Sequence, residues 1–292
     1  SRGLGDVYKR QVHNEFYDKY EIIKELSCST HSKVYLVRHR ILDVYRVAKI
    51  FSGNQYEADR LLKEAHLIKN LKHPHIPVIY DIEQNIGEDN DSICIIEEYI
   101  DGKSLRQYVH DETDTRGYLS VHEICRIGIE LCCILEYLHG YNGNGILHMD
   151  IKPDNIMLDK DGKVKLIDYD NAVEGNAGLT VESGSPLYAA PEQYNREKAV
   201  IQSDIYSLGM VILFMVSHGH IVTDENHKLS EISSRYSSLY HVINKSLHHE
   251  WGLRYSSVTY LKQELQSIMN WGGGTDEKLS YIIQVAAVSY TH

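Results

Sequence analysis

The segment GILHMDIKPDNIML, residues 145–158, is the most informative motif in this chain. It places Asp150, Lys152 and Asn155 close together in a polar loop between two short apolar runs. A carboxylate, a cation and a carboxamide at this spacing can orient a hydroxyl group while cations hold phosphate oxygens. The same letters also fit an ordinary Asp-Pro-Asn turn, so the surrounding sequence has to decide between the two interpretations.

The residues before Gly102 mainly favour β-structure, and those after it mainly favour helix. The runs KVYLVRH, YRVAKIF, PVIYDIE and SICIIEE predict strands, and YEADRLLKEAHLIKNL predicts one helix. After Gly102, the patterns VHEICRIGIELCCILEYLHG and SDIYSLGMVILFMVSHG predict long helices. We therefore expect an α+β fold with a small β-rich lobe, a larger α-helical lobe and a ligand-binding cleft between them.

With these surroundings, the loop resembles the catalytic loop of serine/threonine protein kinases, in a bacterial-type, non-RD form with His-Met-Asp and Asp-Tyr-Asp motifs. The resemblance covers about residues 20–269 and implies the bilobal kinase fold. It implies transfer of the γ-phosphoryl group of ATP to a protein hydroxyl, with Asp150 as the catalytic base and Lys152 facing the γ-phosphate. Asn155 and Asp168 match the ligands of Mg²⁺ or Mn²⁺.

In the first lobe, Lys49 and Glu64 match the ion pair that holds an ammonium group against the α- and β-phosphates of ATP. Ser27, Ser29 and Ser32 occupy the three glycine positions of the phosphate-binding loop, so we expect a stiffer loop with looser phosphate contacts. The resemblance also implies adenine contacts from Val34, Val47, the backbone of Glu98 and Ile100, and Met157.

Several residues depart from the kinase pattern. Tyr169 and Asp170 replace the usual Phe and Gly after Asp168, and Asp170 removes the freedom of glycine. Glu97 falls at the back of the adenine pocket, where we expect it to be paired or to reach water. Met149 replaces an arginine that in many kinases receives a phosphorylated residue, so we expect activity without activation-segment phosphorylation.

Three further matches lie in the second lobe. The segment Ala190, Pro191 and Glu192 resembles the end of the kinase activation segment, and the resemblance implies an ion pair between Glu192 and Arg254. Asp204 matches an aspartate that supports the catalytic loop. Ser185 matches a residue that contacts the catalytic aspartate and lysine.

The composition narrows the choice of partners. The formal net charge of -11 argues against nucleic acid as a partner, so we expect a protein substrate and ATP. The 5 cysteines show no metal-binding spacing, and their odd number does not suit a disulfide framework, which favours a reducing, cytoplasmic location. No apolar run is long enough to span a membrane. The scattered histidines have no zinc-site spacing and are expected to be surface or packing residues.

The predicted domain organisation leaves both ends aside. Residues 1–11 and 288–292 resemble translated sequencing-adapter sequence, and we expect them to be artefacts. Residues 17–100 are predicted to form the kinase N-lobe and residues 101–271 the C-lobe. Residues 272–287 open with three glycines and suit a linker or the start of another segment.

Two alternative functions stay open at this point. The altered phosphate loop, Asp170 and Glu97 suit a pseudokinase or a nucleotide-binding regulatory domain. A small-molecule phosphotransferase shares the aspartate and asparagine chemistry, but Lys152 and the AAPEQY and SDIYSLG segments count against it. The complete set of catalytic groups favours the active protein kinase.

Overall fold

A computed structural model gives the fold. It describes residues 15–28, 32–51, 62–63, 65–84, 92–175, 185–195, 199–220 and 234–271. The chain divides into two compact units, the first made of Ser1–Gly102 with Ile167–Ala172 and the second of Lys103–Leu166 with Val173–His292. The strands in chain order are β1 Tyr20–Cys28, β2 Ser32–His39, β3 Val44–Phe51, β4 Ile79–Gln84, β5 Ile93–Glu98, β6 Gly102–Ser104, β7 Ile146–Leu147, β8 Ile156–Asp159, β9 Val164–Leu166 and β10 Val173–Glu174. The helices are α1 Glu15–Lys19, α2 Leu105–Arg116, α3 Val121–His139, α4 Pro191–Tyr194, α5 Ile201–Val216, α6 Tyr240–Ser246 and α7 Val258–Trp271.

The first unit is built on a five-stranded sheet with the order β1-β2-β3-β5-β4. Its strands pair antiparallel, as expected for neighbours joined by short connections. The register places Lys49 between Val34 on β2 and Ile95 on β5, and Val47 opposite Glu97. Directly opposite residues share a face of a sheet, so Lys49, Val47 and Glu97 lie on one face.

Apolar side chains cover both faces of the central strands of this sheet. Ala48, Cys94 and Ile96 pack with Phe16 and Val37 on one side. On the other side, Ile93 and Ile95 pack with Phe51 and with Ala65, which belongs to the helical residues 65–68. This explains why β5 has four buried residues in succession and no alternation of apolar and polar side chains.

The second unit is mainly helical. Helix α3 starts at a capping box in which Ser120 and Glu123 satisfy each other's backbone N–H groups. It packs against α5 and α7, and α5 buries twelve of its residues, including Asp204 near its start. A helix with buried residues all round belongs to the middle of a core, so α5 forms the centre of this unit.

Short strands position the polar loop between residues 147 and 156. Strand β7, before the loop, pairs antiparallel with β10, and β8, after it, pairs with β9. Within the described residues, the structure contains no helix long and apolar enough to cross a membrane.

Candidate active site

The loop that carries Asp150 turns sharply between β7 and β8. Met149 has a left-handed backbone with φ 63°, and its buried side chain packs with Leu147 and Val173. Residues Pro153–Asn155 form a single 3-10 turn with proline at its first position, where the fixed φ of proline suits a helical turn. The local sequence therefore aims the Asp150 side chain into one defined position.

The structure brings Asp150, Lys152, Asn155 and Ser185 together. Lys152 Nζ donates hydrogen bonds to Asp150 Oδ2 at 2.7 Å and to Ser185 Oγ at 2.7 Å. The backbone N–H of Ser185 donates to Asp150 Oδ1 at 3.1 Å, and Asn155 Nδ2 donates to Asp150 Oδ2 at 3.2 Å. Both carboxylate oxygens are thus held in place by protein groups.

These contacts set the protonation state of Asp150. Burial alone would raise the pKa of the Asp150 carboxyl, but the hydrogen bonds from Lys152 and Ser185 and the charge of Lys152 outweigh it and lower the pKa below its ordinary value. Asp150 is therefore ionised at neutral pH. An ionised carboxylate can accept a hydrogen bond from an incoming hydroxyl group and orient it.

Asn155 presents a suitable metal ligand. Its Nδ2 is used by Asp150, with a second hydrogen bond to the Asp150 carbonyl at 3.0 Å. In that orientation Oδ1 is the acceptor atom of the side chain, a hard oxygen of the kind Mg²⁺ and Mn²⁺ prefer. Asp168, the other predicted metal ligand, belongs to the first unit, and its role stays a prediction. No group of three or more His, Cys, Asp or Glu side chains in the described part of the chain could hold a metal by itself.

Asp204, a buried aspartate on α5, holds the backbone of the loop that carries Asp150. Asp204 accepts hydrogen bonds from the backbone N–H of His148 at 3.0 Å and of Met149 at 2.8 Å, and lies 2.9 Å from His139 Nε2. Burial would raise the pKa of Asp204, but its contacts with His139 and the backbone lower it. The ionised carboxylate can therefore hold two successive peptide groups next to Asp150.

A buried ion pair ties the Ala190-Pro191-Glu192 segment to the residues before α7. Arg254 donates to Glu192 Oε1 at 2.7 Å and to Oε2 at 2.8 Å, in the bidentate geometry of a strong pair. Ser203 Oγ adds a third hydrogen bond to Glu192 at 2.7 Å. The Arg254 side chain is 0% exposed and that of Glu192 3%. The implied pairing of Glu192 with Arg254 is therefore present in the structure.

In the first unit, Lys49 contacts two aspartates. Its Nζ lies 2.8 Å from Asp170 Oδ1 and 3.3 Å from Asp168 Oδ1. Asp168 has a left-handed backbone with φ 65°, whereas Asp170 is not among the residues with positive φ. The glycine replacement at Asp170 therefore adds a carboxylate beside Lys49 without placing a side chain at a left-handed position.

Glu97 is partly exposed near the end of β5. Its Oε1 has neither a hydrogen-bond partner within the described chain nor contact with solvent. Burial raises the pKa of the Glu97 carboxyl; the charge of Lys49 opposes the rise, and the charges of Asp168 and Asp170 add to it. Burial therefore favours the neutral form of this carboxyl, and the expected partner or water contact of Glu97 stays a prediction.

The other predicted nucleotide contacts are only partly described. Ser27 lies exposed near the end of β1, and Ser32 begins β2. Ser29 and Glu64 lie outside the described residues. Partly buried side chains on β2, β3 and β8 include Val34, Val47 and Met157, and β5 ends at Glu98, two residues before the buried Ile100.

A comparison with protein-family models matches residues 20–275 to the protein kinase domain. The chain belongs to the protein kinase family. This assignment confirms the resemblance to protein kinases, and it fits an α+β chain with a β-sheet unit and a helical unit.

Curated relatives in this family come from bacteria and from mouse. The chain is 30% identical over 223 residues to "Probable serine/threonine-protein kinase PknB" of Lactococcus lactis, covering 73% of this chain and 34% of that protein. It is 31% identical over 205 residues to sperm motility kinase 2A of Mus musculus, covering 69% and 38%. The chain thus spans between a third and two fifths of these relatives' length.

Among solved structures, the Mycobacterium tuberculosis PknI kinase domain superposes with a TM-score of 0.67 at 23% identity, covering 85% of this chain and 96% of that chain. At this level of identity the similarity concerns the fold alone. The protein kinase fold predicted from the sequence is confirmed by it.

Two contributors to the site were not found by sequence reasoning. Asp170 was noted as a departure from the glycine, but its contact with Lys49 depends on how the backbone turns after Asp168. Gln193 follows the Ala190-Pro191-Glu192 segment and reaches the catalytic loop through space. No periodicity or motif spacing marks a single buried glutamine of this kind.

Proposed function

We propose that this chain is the catalytic domain of a serine/threonine protein kinase that transfers the γ-phosphoryl group of ATP to a protein hydroxyl. The observation that carries the proposal is the contact of Asp150 with Lys152 and Ser185. These three groups provide an ionised acceptor for a hydroxyl proton and, beside it, a cation for a phosphate oxygen. Membership of the protein kinase family supports the same function.

The chemistry needs little from the protein beyond positioning and charge. The oxygen of the acceptor serine or threonine forms a bond to the γ-phosphorus while the bond from that phosphorus to the bridging oxygen breaks and ADP leaves. Asp150 orients the hydroxyl and takes its proton as the new bond forms. Because its pKa is low, Asp150 works mainly by orientation, and the proton passes on to solvent.

ATP and a divalent cation, Mg²⁺ or Mn²⁺, are the cofactors this proposal requires. The oxygens of Asn155 and Asp168 would hold the cation, which supplies charge neutralisation for the phosphates. Lys49, with Glu64 as its partner, would hold the α- and β-phosphates. The phosphate loop with Ser27, Ser29 and Ser32 would cover them. Adenine would be bound by Val34, Val47, the backbone of Glu98 and Ile100, and Met157.

The test is transfer of radiolabelled phosphate from ATP by the full chain, with Mg²⁺ or Mn²⁺ and a mixture of generic proteins as acceptors. We expect Asp150→Asn to lower turnover by about a factor of 10² to 10⁴ and to leave ATP binding largely intact, because Asp150 would contact only the acceptor. Lys49→Met and Asp168→Asn should abolish transfer and also weaken ATP binding.

Asp161→Asn is the matched control, because Asp161 is exposed at the turn between β8 and β9. It should behave like the unchanged protein. Undiminished turnover in the Asp150→Asn variant would contradict the catalytic assignment. A panel of small alcohols run beside the protein acceptors tests the small-molecule alternative, which requires an alcohol to be phosphorylated in preference to protein.

A second candidate function is a nucleotide-binding regulatory domain without efficient transfer. The specific observation in its favour is the contact of Lys49 with Asp170, since a carboxylate there competes with phosphate for the ammonium group. This candidate predicts that the unchanged protein binds ATP and phosphorylates neither proteins nor alcohols. The same assay therefore separates the two functions.

Further parts of the proposal rest on sequence patterns. We propose that residues 17–100 and 101–271 act as the two kinase lobes and that residues 272–287 begin a linker or another segment. The partners are a protein substrate and ATP, with no role for nucleic acid, given the acidic balance of the chain. A reducing compartment such as the cytoplasm suits five cysteines that form no disulfide among the described residues.

A further inference from the structure

The backbone immediately before Asp150 is held in an unfavourable conformation. Met149 has φ 63°, a region that non-glycine residues adopt only when the surroundings impose it. Its side chain is 1% exposed and packs with Leu147, Val173 and Ala199. Because Met149 directly precedes Asp150, any relaxation of this backbone would rotate the peptide group between the two residues. The Asp150 carboxylate would then move with it.

The peptide group between Met149 and Asp150 is fixed at both ends. Its carbonyl oxygen accepts a hydrogen bond from Gln193 Nε2 at 3.0 Å. Its N–H lies 3.3 Å from His148 Nδ1. The preceding peptide is held separately, because the Met149 N–H donates to Asp204. Of these groups, only Gln193 reaches the loop from the end of the activation segment.

Gln193 is placed to make this contact in one orientation only. It is 2% exposed, and its Oε1 accepts a hydrogen bond from the Ala190 N–H at 2.9 Å. Reversing the side-chain amide would set Oε1 against the Met149 carbonyl and Nε2 against the Ala190 N–H, which would be unfavourable on both sides. The neighbouring Glu192 is anchored by Arg254, so the backbone that presents Gln193 is itself fixed.

We propose that Gln193 is a positioning residue for Asp150. By holding the Met149 carbonyl, it keeps the Asp150 carboxylate at the angle from which it orients the acceptor hydroxyl. It also joins the Ala190–Glu192 segment to the catalytic loop with a neutral hydrogen bond, at a place where Met149 offers no cation to receive a phosphate group. This inference rests on the proposed kinase function.

The decisive variant is Gln193→Glu, which keeps the shape of the side chain. The introduced carboxyl can donate to the Met149 carbonyl only when it is protonated, and when ionised it places a negative oxygen against that carbonyl. We expect kcat on the order of ten-fold lower than in the unchanged protein at pH 8, with KM for ATP within about two-fold. The ratio of kcat in Gln193→Glu to kcat in the unchanged protein should rise toward one as the pH is lowered.

Two more variants complete the experiment. Gln193→Met cannot donate at any pH, so its kcat should be low by a similar factor and its ratio to the unchanged protein should not depend on pH. Gln202→Glu is the matched control. The Gln202 side chain also reaches a backbone carbonyl, that of Ser256 at 3.5 Å, but on the surface, and its kcat ratio should stay near one at every pH.

The outcomes separate the two proposals. If the unchanged protein transfers no phosphate, the kinase function fails and this inference fails with it. If it is active and both Gln193 variants match it, only the inference is overturned. A pH-independent loss in Gln193→Glu, or a loss that appears wholly in KM for ATP, would also overturn it. So would unfolding of both variants in thermal melts, because Gln193 would then hold the fold of the unit and not the position of Asp150.

Discussion

At the scale of single residues, two carboxyl groups, one in each unit, respond to burial in opposite ways. Asp150 is surrounded by donors, and its pKa is lowered despite burial. Glu97 has no donor at Oε1, and its pKa is raised. The same side-chain chemistry therefore gives a charged group on the catalytic loop and a group that favours the neutral form on β5.

The raised pKa of Glu97 makes stability depend on pH. The folded protein holds a proton on Glu97 at pH values where the unfolded chain, with an ordinary pKa of 4.5, has released it. Stability from this group is therefore lost as the pH rises from about 4.5 through the raised pKa. The carboxamide in Glu97→Gln does not titrate, so the free energy of unfolding of the variant should increase relative to the unchanged protein over that range.

Denaturant titrations at a series of pH values measure this difference. Glu25→Gln, at an exposed position on β1 of the same sheet, is the control for the loss of one glutamate carboxylate. The same difference for Glu97→Gln as for Glu25→Gln would mean that Glu97 titrates like an exposed glutamate.

At the scale of elements, the turn that follows β9 changes the surroundings of Lys49. Asp170 adds a carboxylate 2.8 Å from the ammonium group, and both side chains keep some contact with solvent. A partly exposed pair of this kind contributes up to about 1 kcal/mol. We expect Asp170→Gly to free Lys49 for phosphate and to lower KM for ATP by about two- to five-fold.

Steady-state kinetics with varied ATP test this expectation. Asp161→Gly makes the same substitution at an exposed turn, and KM should be unchanged there. A higher KM in Asp170→Gly would show that the carboxylate assists nucleotide binding, and the competition between Asp170 and phosphate would then be the wrong interpretation.

The elements themselves differ in how readily the sequence reveals them. Strands β2, β3 and β5 and helices α3 and α5 were predicted closely, because their buried faces follow strand or helix periods or form long apolar runs. Strand β1 was not predicted, since seven of its nine residues are exposed and no alternation remains. Helix α2 was also missed because it buries only Leu105 and Val109.

The residues of the candidate site also differ in how readily the sequence reveals them. The positions of Asp150, Lys152 and Asn155 follow from a local motif, and the structure brings their side chains together. The contacts of Gln193 and Asp170 could not be predicted, because they depend on backbone turns at Met149 and Asp168 that no residue preference announces.

At the scale of the whole molecule, the ion pair between Glu192 and Arg254 is buried within the second unit. Arg254→Met would leave the Glu192 carboxylate buried without its cation, and we expect the free energy of unfolding to fall by about 3 to 5 kcal/mol. Adding Glu192→Leu to this variant should recover part of the loss, because the uncompensated charge is removed. Recovery stays partial, since Arg254 also donates to the carbonyl groups of Gln202, His248 and His249.

Urea unfolding of the single and double variants measures both effects, provided that the slope against urea stays constant. Arg106 offers a control, because it makes the same bidentate contact with the exposed Asp154, so that Arg106→Met leaves an exposed carboxylate unpaired and not a buried one. A loss below about 1 kcal/mol for Arg254→Met would place the pair in the class of surface ion pairs.

The ion pair between Glu192 and Arg254 also has a consequence for the folding of the chain during its synthesis. Glu192 and Arg254 are 62 positions apart, so at ordinary rates of synthesis about 3 to 12 seconds pass between the appearance of the acid and that of its base. During this interval, burial of the Glu192 carboxylate without its cation is unfavourable by about 3 to 5 kcal/mol. The helical unit of the nascent chain is therefore less stable until Arg254 has left the ribosome exit tunnel, and a ribosome stalled shortly before that codon holds a chain that is more open to proteases and chaperones.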